Sequence, residues 1–180
     1  MNSDDQKRIL EAADRSEIAQ IIYAYAENID RRDIEGLKKE CFHPDARYQY
    51  TDEGEALSLD EFFNSFGRLI QGFKQTQHYL TNMSIRLDGD KAKTQTYLIA
   101  HHTQPAGAEH MPPLLPDIGK DYGIFIGARY VDEFERRGGE WKIAFRKIYF
   151  EWESKIPLTD ITGPYTQEPG TVIPGIFQKT

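Results

Sequence analysis

Between Thr76 and Leu87 the side chains change character with a period of two. The even positions from Thr76 to Ser84 are mostly polar: threonine, histidine, leucine, asparagine and serine. The odd positions from Tyr79 to Leu87 are mostly apolar. Side chains alternate across a strand, so this stretch is a strand with one packing face and one polar face. His78 lies on the polar face, where it needs a partner or a cavity. The pattern predicts a pocket built around His78.

The rest of the chain arranges itself about that strand. Residues 4–13 read as a short, loosely attached helix. Ser16 fits a cap for a longer one ending near Arg31, whose stripe Ile18, Ile22, Tyr25 and Ile29 has helical period. Ala19, Tyr23, Ala26 and Asp30 lie beside that stripe. Asp33 to Cys41 reads as a further short helix, broken by His43-Pro44-Asp45. Ala46 to Thr51 is a first strand, with Tyr48 and Tyr50 on one face. Ser58-Leu59-Asp60-Glu61 has capping-box spacing and opens a helix to about Gln71.

Four strands then follow in succession. Asp88-Gly89-Asp90 turns the first into a second, Lys91 to Thr103. Residues 104–120 carry four prolines and form a long loop of the kind often found over binding sites. The third strand is Tyr122 to Arg136, Arg137-Gly138-Gly139-Glu140 turns the chain, and the fourth strand is Trp141 to Trp152. The tail, 156–180, has prolines and apolar anchors that suit an extended segment docked on the pocket or on a neighbouring subunit. Helices first and a meander last imply an α+β fold: a cone-shaped, curved, mixed or antiparallel sheet wrapped around helices. One domain spans 1–155, with the tail outside it.

Composition narrows the partners. A net charge of −7 would repel a nucleic-acid backbone. No apolar run approaches the ~20 residues needed to cross a bilayer. Cys41 is alone, so no internal disulfide is possible, and the N-terminus lacks the apolar stretch of a signal peptide. The expectation is a cytoplasmic protein. Ten Tyr, ten Phe and two Trp are enough to line an apolar or aromatic pocket. Filling an ordinary core is the competing use of those rings.

The individual candidates admit two readings each. Asp30 sits near a helix C-terminus, where the helix dipole disfavours a carboxylate. It is either a solvated end beside Arg31 and Arg32 or the partner of another group. His78 is a structural histidine or a base. Arg146 stands among Ala144, Ile148 and Phe150 on its strand face, so its burial requires an anion. His101 and His102 are adjacent on a strand and point to opposite faces, so they do not make a metal site together. No metal or organic cofactor is expected.

The segments Ile21 to Asp33, His43-Pro44-Asp45-Ala46, Gln77 to Asn82, Tyr130 to Arg137 and Gly139 to Lys142 resemble the SnoaL-like branch of the nuclear-transport-factor-2-like superfamily. The resemblance covers about 16–155. It is greatest to the cone-shaped lyases: scytalone dehydratase, hexachlorocyclohexane dehydrochlorinase and bile-acid 7α-dehydratase. The resemblance implies that Asp30 and His78 form an acid–base pair, with Arg146 and Tyr25 as further catalytic residues. It implies Tyr50 and His102 as substrate contacts, with His101 as the alternative to His102. Tyr23, flanking the helix stripe, and Asn82, on the polar strand face, are further substrate-contact candidates. No lysine stands at Tyr25 and no tyrosine immediately precedes Asp30, so no one relative's substrate carries over.

These residues suit an elimination. Histidine is a natural base near neutral pH, and a carboxylate on one imidazole nitrogen fixes the tautomer. Arg146, Tyr25 or Tyr50 could stabilise a departing hydroxide or halide. One reading is a cofactor-independent lyase, a dehydratase or dehydrohalogenase, acting on a small hydrophobic or aromatic ring compound. The alternatives are an isomerase or cyclase in the same pocket, or a non-catalytic binding or assembly protein. The apolar odd positions Tyr79, Met83, Ile85, Tyr97 and Ile99 offer an outer face for a homo-oligomer, a trimer ahead of a dimer.

Overall fold

The computed structural model describes residues 2–50, 54–107 and 119–158. Three helices, α1 (Ser3–Arg31), α2 (Ile34–Cys41) and α3 (Leu59–Gly72), pack against one six-stranded sheet. Its strands are β1 (Phe42–Gln49), β2 (Leu57–Ser58), β3 (Gln75–Asp88), β4 (Lys91–Gln104), β5 (Tyr122–Arg137) and β6 (Glu140–Pro157). Their order is β2-β1-β6-β5-β4-β3. β1 runs parallel to β6 and every other neighbouring pair is antiparallel, which makes the sheet mixed. The expected α+β class and curled sheet are therefore observed. Among the described residues no helix is long and apolar enough to cross a membrane.

Local chemistry sets the element ends. Ser58 and Glu61 make the reciprocal capping box, with Glu61 Oε2 accepting from the Ser58 backbone N–H at 2.8 Å. Asp33 caps α2 by accepting from the Gly36 N–H at 2.8 Å. Between α1 and α2, Arg32 takes the left-handed conformation, φ 60°, that usually calls for glycine. Its guanidinium is anchored to the Phe73 carbonyl at 2.5 Å and to the Lys74 carbonyl at 3.2 Å. At the β5–β6 hairpin, Gly138 and Gly139 both have positive φ, as a tight turn of the favoured hand requires.

Three boundaries differ from expectation. The two helices expected over 4–13 and 16–31 are one, α1, because Ser16 is preceded by no breaker and a lone serine costs little inside a helix. The strand expected from Ala46 begins at Phe42 and contains Pro44. The proline is tolerated because Phe42 pairs with Ile143 and Arg47 with Phe145, so the intervening residues are bulged out of the ladder. β6 continues past Trp152 to Pro157. Most of the long loop (108–118) and the tail beyond residue 158 lie outside the described residues.

The most consequential difference is in β3. Its register to β4 shifts between Leu80 and Met83. Up to Leu80 the even positions face the concave side; beyond the bulge the odd ones do. Met83 and Ile85 consequently lie opposite Thr96 and Thr94 and pack against the core. They are not on the outer face that the unbroken alternation implied. Tyr79 and Ile99 remain outside, 49% and 38% exposed. Bulges also strengthen local twist and help curl the sheet.

The stripe Ile18, Ile22, Tyr25 and Ile29 is buried against the concave face, as its period predicts. At the centre of that core lies a fully buried ion pair. Arg146 donates to Asp132 through Nε at 2.6 Å and Nη2 at 2.8 Å, and both side chains are inaccessible to solvent. The rings of Tyr25 and Tyr130 lie 3.9 and 4.1 Å from the guanidinium carbon. Burial alone would disfavour the Arg146 charge, but Asp132 outweighs it and raises the pKa well above the ordinary arginine value. Such a pair stabilises little in total, yet removing one member strands a buried charge. Asp132→Asn should lose about 3–5 kcal/mol in urea unfolding, and the double change Asp132→Leu with Arg146→Met less than half of that. A single variant within about 1 kcal/mol of the parent would contradict this account.

Candidate functional site

β3 is the last strand of the sheet among the described residues, so one of its edges has no neighbouring strand there. Its free N–H groups need other acceptors. Asp30, in the last turn of α1, supplies one: its Oδ2 accepts from the His78 backbone N–H at 2.9 Å. Its Oδ1 lies 2.7 Å from His78 Nδ1. One carboxylate thus grips both the backbone and the ring of His78. The His78 side chain is 6% exposed and that of Asp30 23%. Asp30 is not a freely solvated helix end.

An ionised carboxylate only accepts, so this contact places a proton on Nδ1 and leaves the Nε2 lone pair free. His78 faces a cavity of about 80 Å³ walled chiefly by apolar side chains, with Ile29, Ala100, Ile126, Ile148 and Phe150 among them. That exceeds the space one water needs. Tyr50, Phe66 and Leu69 belong both to this wall and to an open groove of about 610 Å³ along α3. These three side chains therefore stand between the cavity and that groove.

His102 is on the same wall, and its ring centroid lies 5.5 Å from that of His78 at 89°. Burial, and then the neighbouring His78 and His101, push its pKa down to about 3. It stays neutral in ordinary buffers and is a poor proton acceptor. Its Nδ1 has no hydrogen-bond partner among the described residues. His101 does not line the cavity; its ring stacks on Phe125 at 4.7 Å. Strand alternation thus separates the two histidines, and His102 is the one that faces the pocket.

Tyr25 and Tyr50 both line the cavity. The Tyr25 and Tyr48 hydroxyls are 2.7 Å apart, and either can donate. Burial raises the pKa of Tyr25 and of Tyr50 above the ordinary phenol value, so both remain protonated donors. Arg146 is not part of the wall, since Asp132 and the flanking rings enclose it. Tyr23 is 45% exposed on the solvent side of α1, and Asn82 is exposed beside the β3 bulge. The structure brings neither to the cavity.

The sequence alone did not single out Tyr130, Phe66, Leu69 or Phe73 as wall residues. The three phenylalanine and leucine positions were legible only as the apolar side of a helix and its end. Tyr130 opens the Tyr130 to Arg137 segment, but its inward direction follows from facing Ile148 across β5 and β6. Asp132 was foreseen only as an unnamed anion for Arg146.

Comparisons with known proteins agree with this architecture. The SnoaL-like domain family matches residues 10–147. An uncharacterised protein of Mycobacterium tuberculosis is 26% identical over 142 residues, which is 77% of this chain and 86% of that protein. The type-3 hexachlorocyclohexane dehydrochlorinase of Novosphingobium barchaimii superposes with a TM-score of 0.67 at 18% identity, covering 86% of this chain and 97% of that one. A structure described as a putative scytalone dehydratase, from Novosphingobium aromaticivorans, gives 0.62 at 16% identity, covering 84% and 97%. At these identities the solved structures establish a common fold and nothing of substrate. The chain belongs to the SnoaL-like domain family.

Proposed function

We propose that the chain is a lyase that eliminates water or a halide from a small hydrophobic cyclic substrate, with His78 as general base. The observation that carries this is the Asp30–His78 contact opening on an apolar cavity. His78 Nε2 takes a proton from a ring carbon. The C–H electron pair becomes the new double bond, and the leaving group departs from the adjacent carbon with its own bonding pair. Asp30 stabilises the imidazolium that forms, and the apolar wall strengthens that attraction by excluding water.

The other groups divide the remaining work. His102 is too weakly basic to compete for the proton. Arg146 has its charge committed to Asp132, so a departing oxyanion or halide is met by neutral donors, of which Tyr50 on the cavity wall is the best placed. The names of two structural relatives, a hexachlorocyclohexane dehydrochlorinase and a putative scytalone dehydratase, supply the first compounds to try.

Chloride release from hexachlorocyclohexane and dehydration of scytalone should be followed with the parent protein, His78→Gln and Asp30→Asn. Turnover of at least one compound is expected, reduced roughly 10²–10⁴-fold in either variant. Equal rates in His78→Gln and the parent would remove the base from this reading. No turnover of either compound by the parent would remove the support that those two relatives lend it.

We also propose that the outer sheet face meets further copies of the chain, in a trimer ahead of a dimer. Cross-strand register puts Tyr79, Ile99, Gly127 and Trp152 in one row across four strands. Tyr79, Ile99 and Trp152 are 49%, 38% and 48% exposed. Gly127 has no room for a Cβ because the Trp152 indole lies against it. Such a row is an apolar patch of the kind that marks interfaces. Light scattering at micromolar concentration should show an oligomer, and a monomer would contradict the proposal.

A further inference from the structure

The Tyr25 and Tyr48 hydroxyls form a pair in which either oxygen can donate, and their surroundings decide which one does. Tyr48 is fully buried and is not part of the cavity wall. Its ring stacks on Phe62, with centroids 3.7 Å apart, and packs against Phe42 and Phe63 at 6.1 and 6.0 Å. Among the described residues Tyr25 is the only hydrogen-bond partner of its hydroxyl. Tyr25, by contrast, stands on the cavity wall.

A phenol has one hydrogen to donate and can also accept. If Tyr25 donated to Tyr48, the Tyr48 hydrogen would be sealed among aromatic rings with no acceptor. A buried donor without a partner forfeits its bond to water and gains nothing in exchange. If Tyr48 donates to Tyr25, its own hydrogen is paired, and the hydrogen of Tyr25 is the one left over. Arg146, whose guanidinium carbon lies 3.9 Å from the Tyr25 ring, only donates and cannot take that hydrogen. The acceptor that remains for it is one held in the cavity.

Two influences make this O–H a strong donor. A hydroxyl that accepts one hydrogen bond polarises the one it gives. The Arg146 charge over the ring face favours withdrawal of electron density from the oxygen. Burial has the larger effect on Tyr25 and raises its pKa, while Arg146 and the Tyr48 bond act in the opposite direction. The hydroxyl therefore gives a hydrogen bond and keeps its proton.

We propose that Tyr48 is a positioning residue that turns the Tyr25 hydroxyl hydrogen into the cavity, where it binds a neutral acceptor atom, oxygen or halogen, on the substrate ring. The inference rests on the reading of the cavity as a substrate site. It adds Tyr25 to Tyr50 as a donor, and it places part of the selection for an acceptor-bearing ring in a residue outside the wall. A few well-placed polar groups in an apolar site are what orient a ligand.

The test uses two rings of nearly the same shape, cyclohexanone labelled with carbon-13 at the carbonyl and methylenecyclohexane, titrated into the full chain by NMR. The carbonyl carbon of bound cyclohexanone should be deshielded relative to an apolar solvent, as a hydrogen-bonded carbonyl is. Tyr25→Phe should abolish that deshielding and lose roughly three- to tenfold in cyclohexanone affinity. Tyr48→Phe leaves the Tyr25 hydroxyl in place but unsteered, and should diminish both effects without abolishing them. Methylenecyclohexane has no acceptor oxygen and should bind the parent and both variants alike. The proposal is overturned if the deshielding in Tyr48→Phe equals that in the parent, if it survives Tyr25→Phe, or if only Tyr50→Phe removes it. Equal weakening of both compounds by Tyr48→Phe would also overturn it, by making Tyr48 a packing residue alone, as would failure of cyclohexanone to bind the parent. Neither compound need be turned over, so a missing elimination with this pattern intact would count against the lyase and not against Tyr48.

Discussion

A single carboxylate joins the helical layer to the edge of the sheet. Asp30 leaves α1 in its last turn and holds β3 by both the backbone and the ring of His78. The contact settles several things together. It satisfies a free-edge N–H that would otherwise need water. It fixes the approach of α1 across the concave face, and so the height of the cavity beneath Tyr25 and Ile29. It also immobilises the imidazole with one nitrogen occupied and the other available. Arg32, in its left-handed conformation, pins the adjoining chain to the Phe73 and Lys74 carbonyls just before β3 begins. The helix end and the strand start are thus held from two sides.

The core handles its charges in two ways. Arg146 and Asp132 are fully buried, paired by two hydrogen bonds and packed against aromatic rings, which leaves them inert toward the cavity. Asp30 and His78 are paired, and His78 borders the cavity. His102 is buried without a charge at all. The result is an apolar space with one carboxylate-held imidazole, several neutral hydrogen-bonding groups and no free ionic group on its wall among the described residues. That electrostatic arrangement suits proton removal from a ring carbon better than recognition of a highly charged ligand.

Much of this was legible in the sequence because it depends on local periodicity. The helix stripe, the capping box at Ser58 and the glycine turns are set by nearest neighbours, and they appear where the pattern put them. His78, Tyr25, Tyr50 and His102 line one cavity, and Asp30 holds His78 from behind. What stayed hidden depends on register. The bulge between Leu80 and Met83 inverts the faces of β3, moves Met83 and Ile85 into the core and leaves Asn82 exposed. Nothing in a period-two pattern announces an extra residue. The identity of Arg146's partner depends on which residue of β5 faces it, and that too is a matter of register. Tyr23 shares a helix with Tyr25, but a separation of two residues turns it to the opposite side.

The proposed base depends on the state of one imidazole. Asp30 should hold the His78 proton on Nδ1 and leave Nε2 as the nitrogen with the free lone pair, which is the minor form of neutral histidine in water. Nitrogen-15 NMR of the labelled protein, at a pH where the ring is neutral, distinguishes the two tautomers directly. The structure predicts the Nδ1–H form in the parent and a shift toward the Nε2–H form in Asp30→Ala. An Nε2–H ring in the parent, unchanged by the substitution, would contradict it.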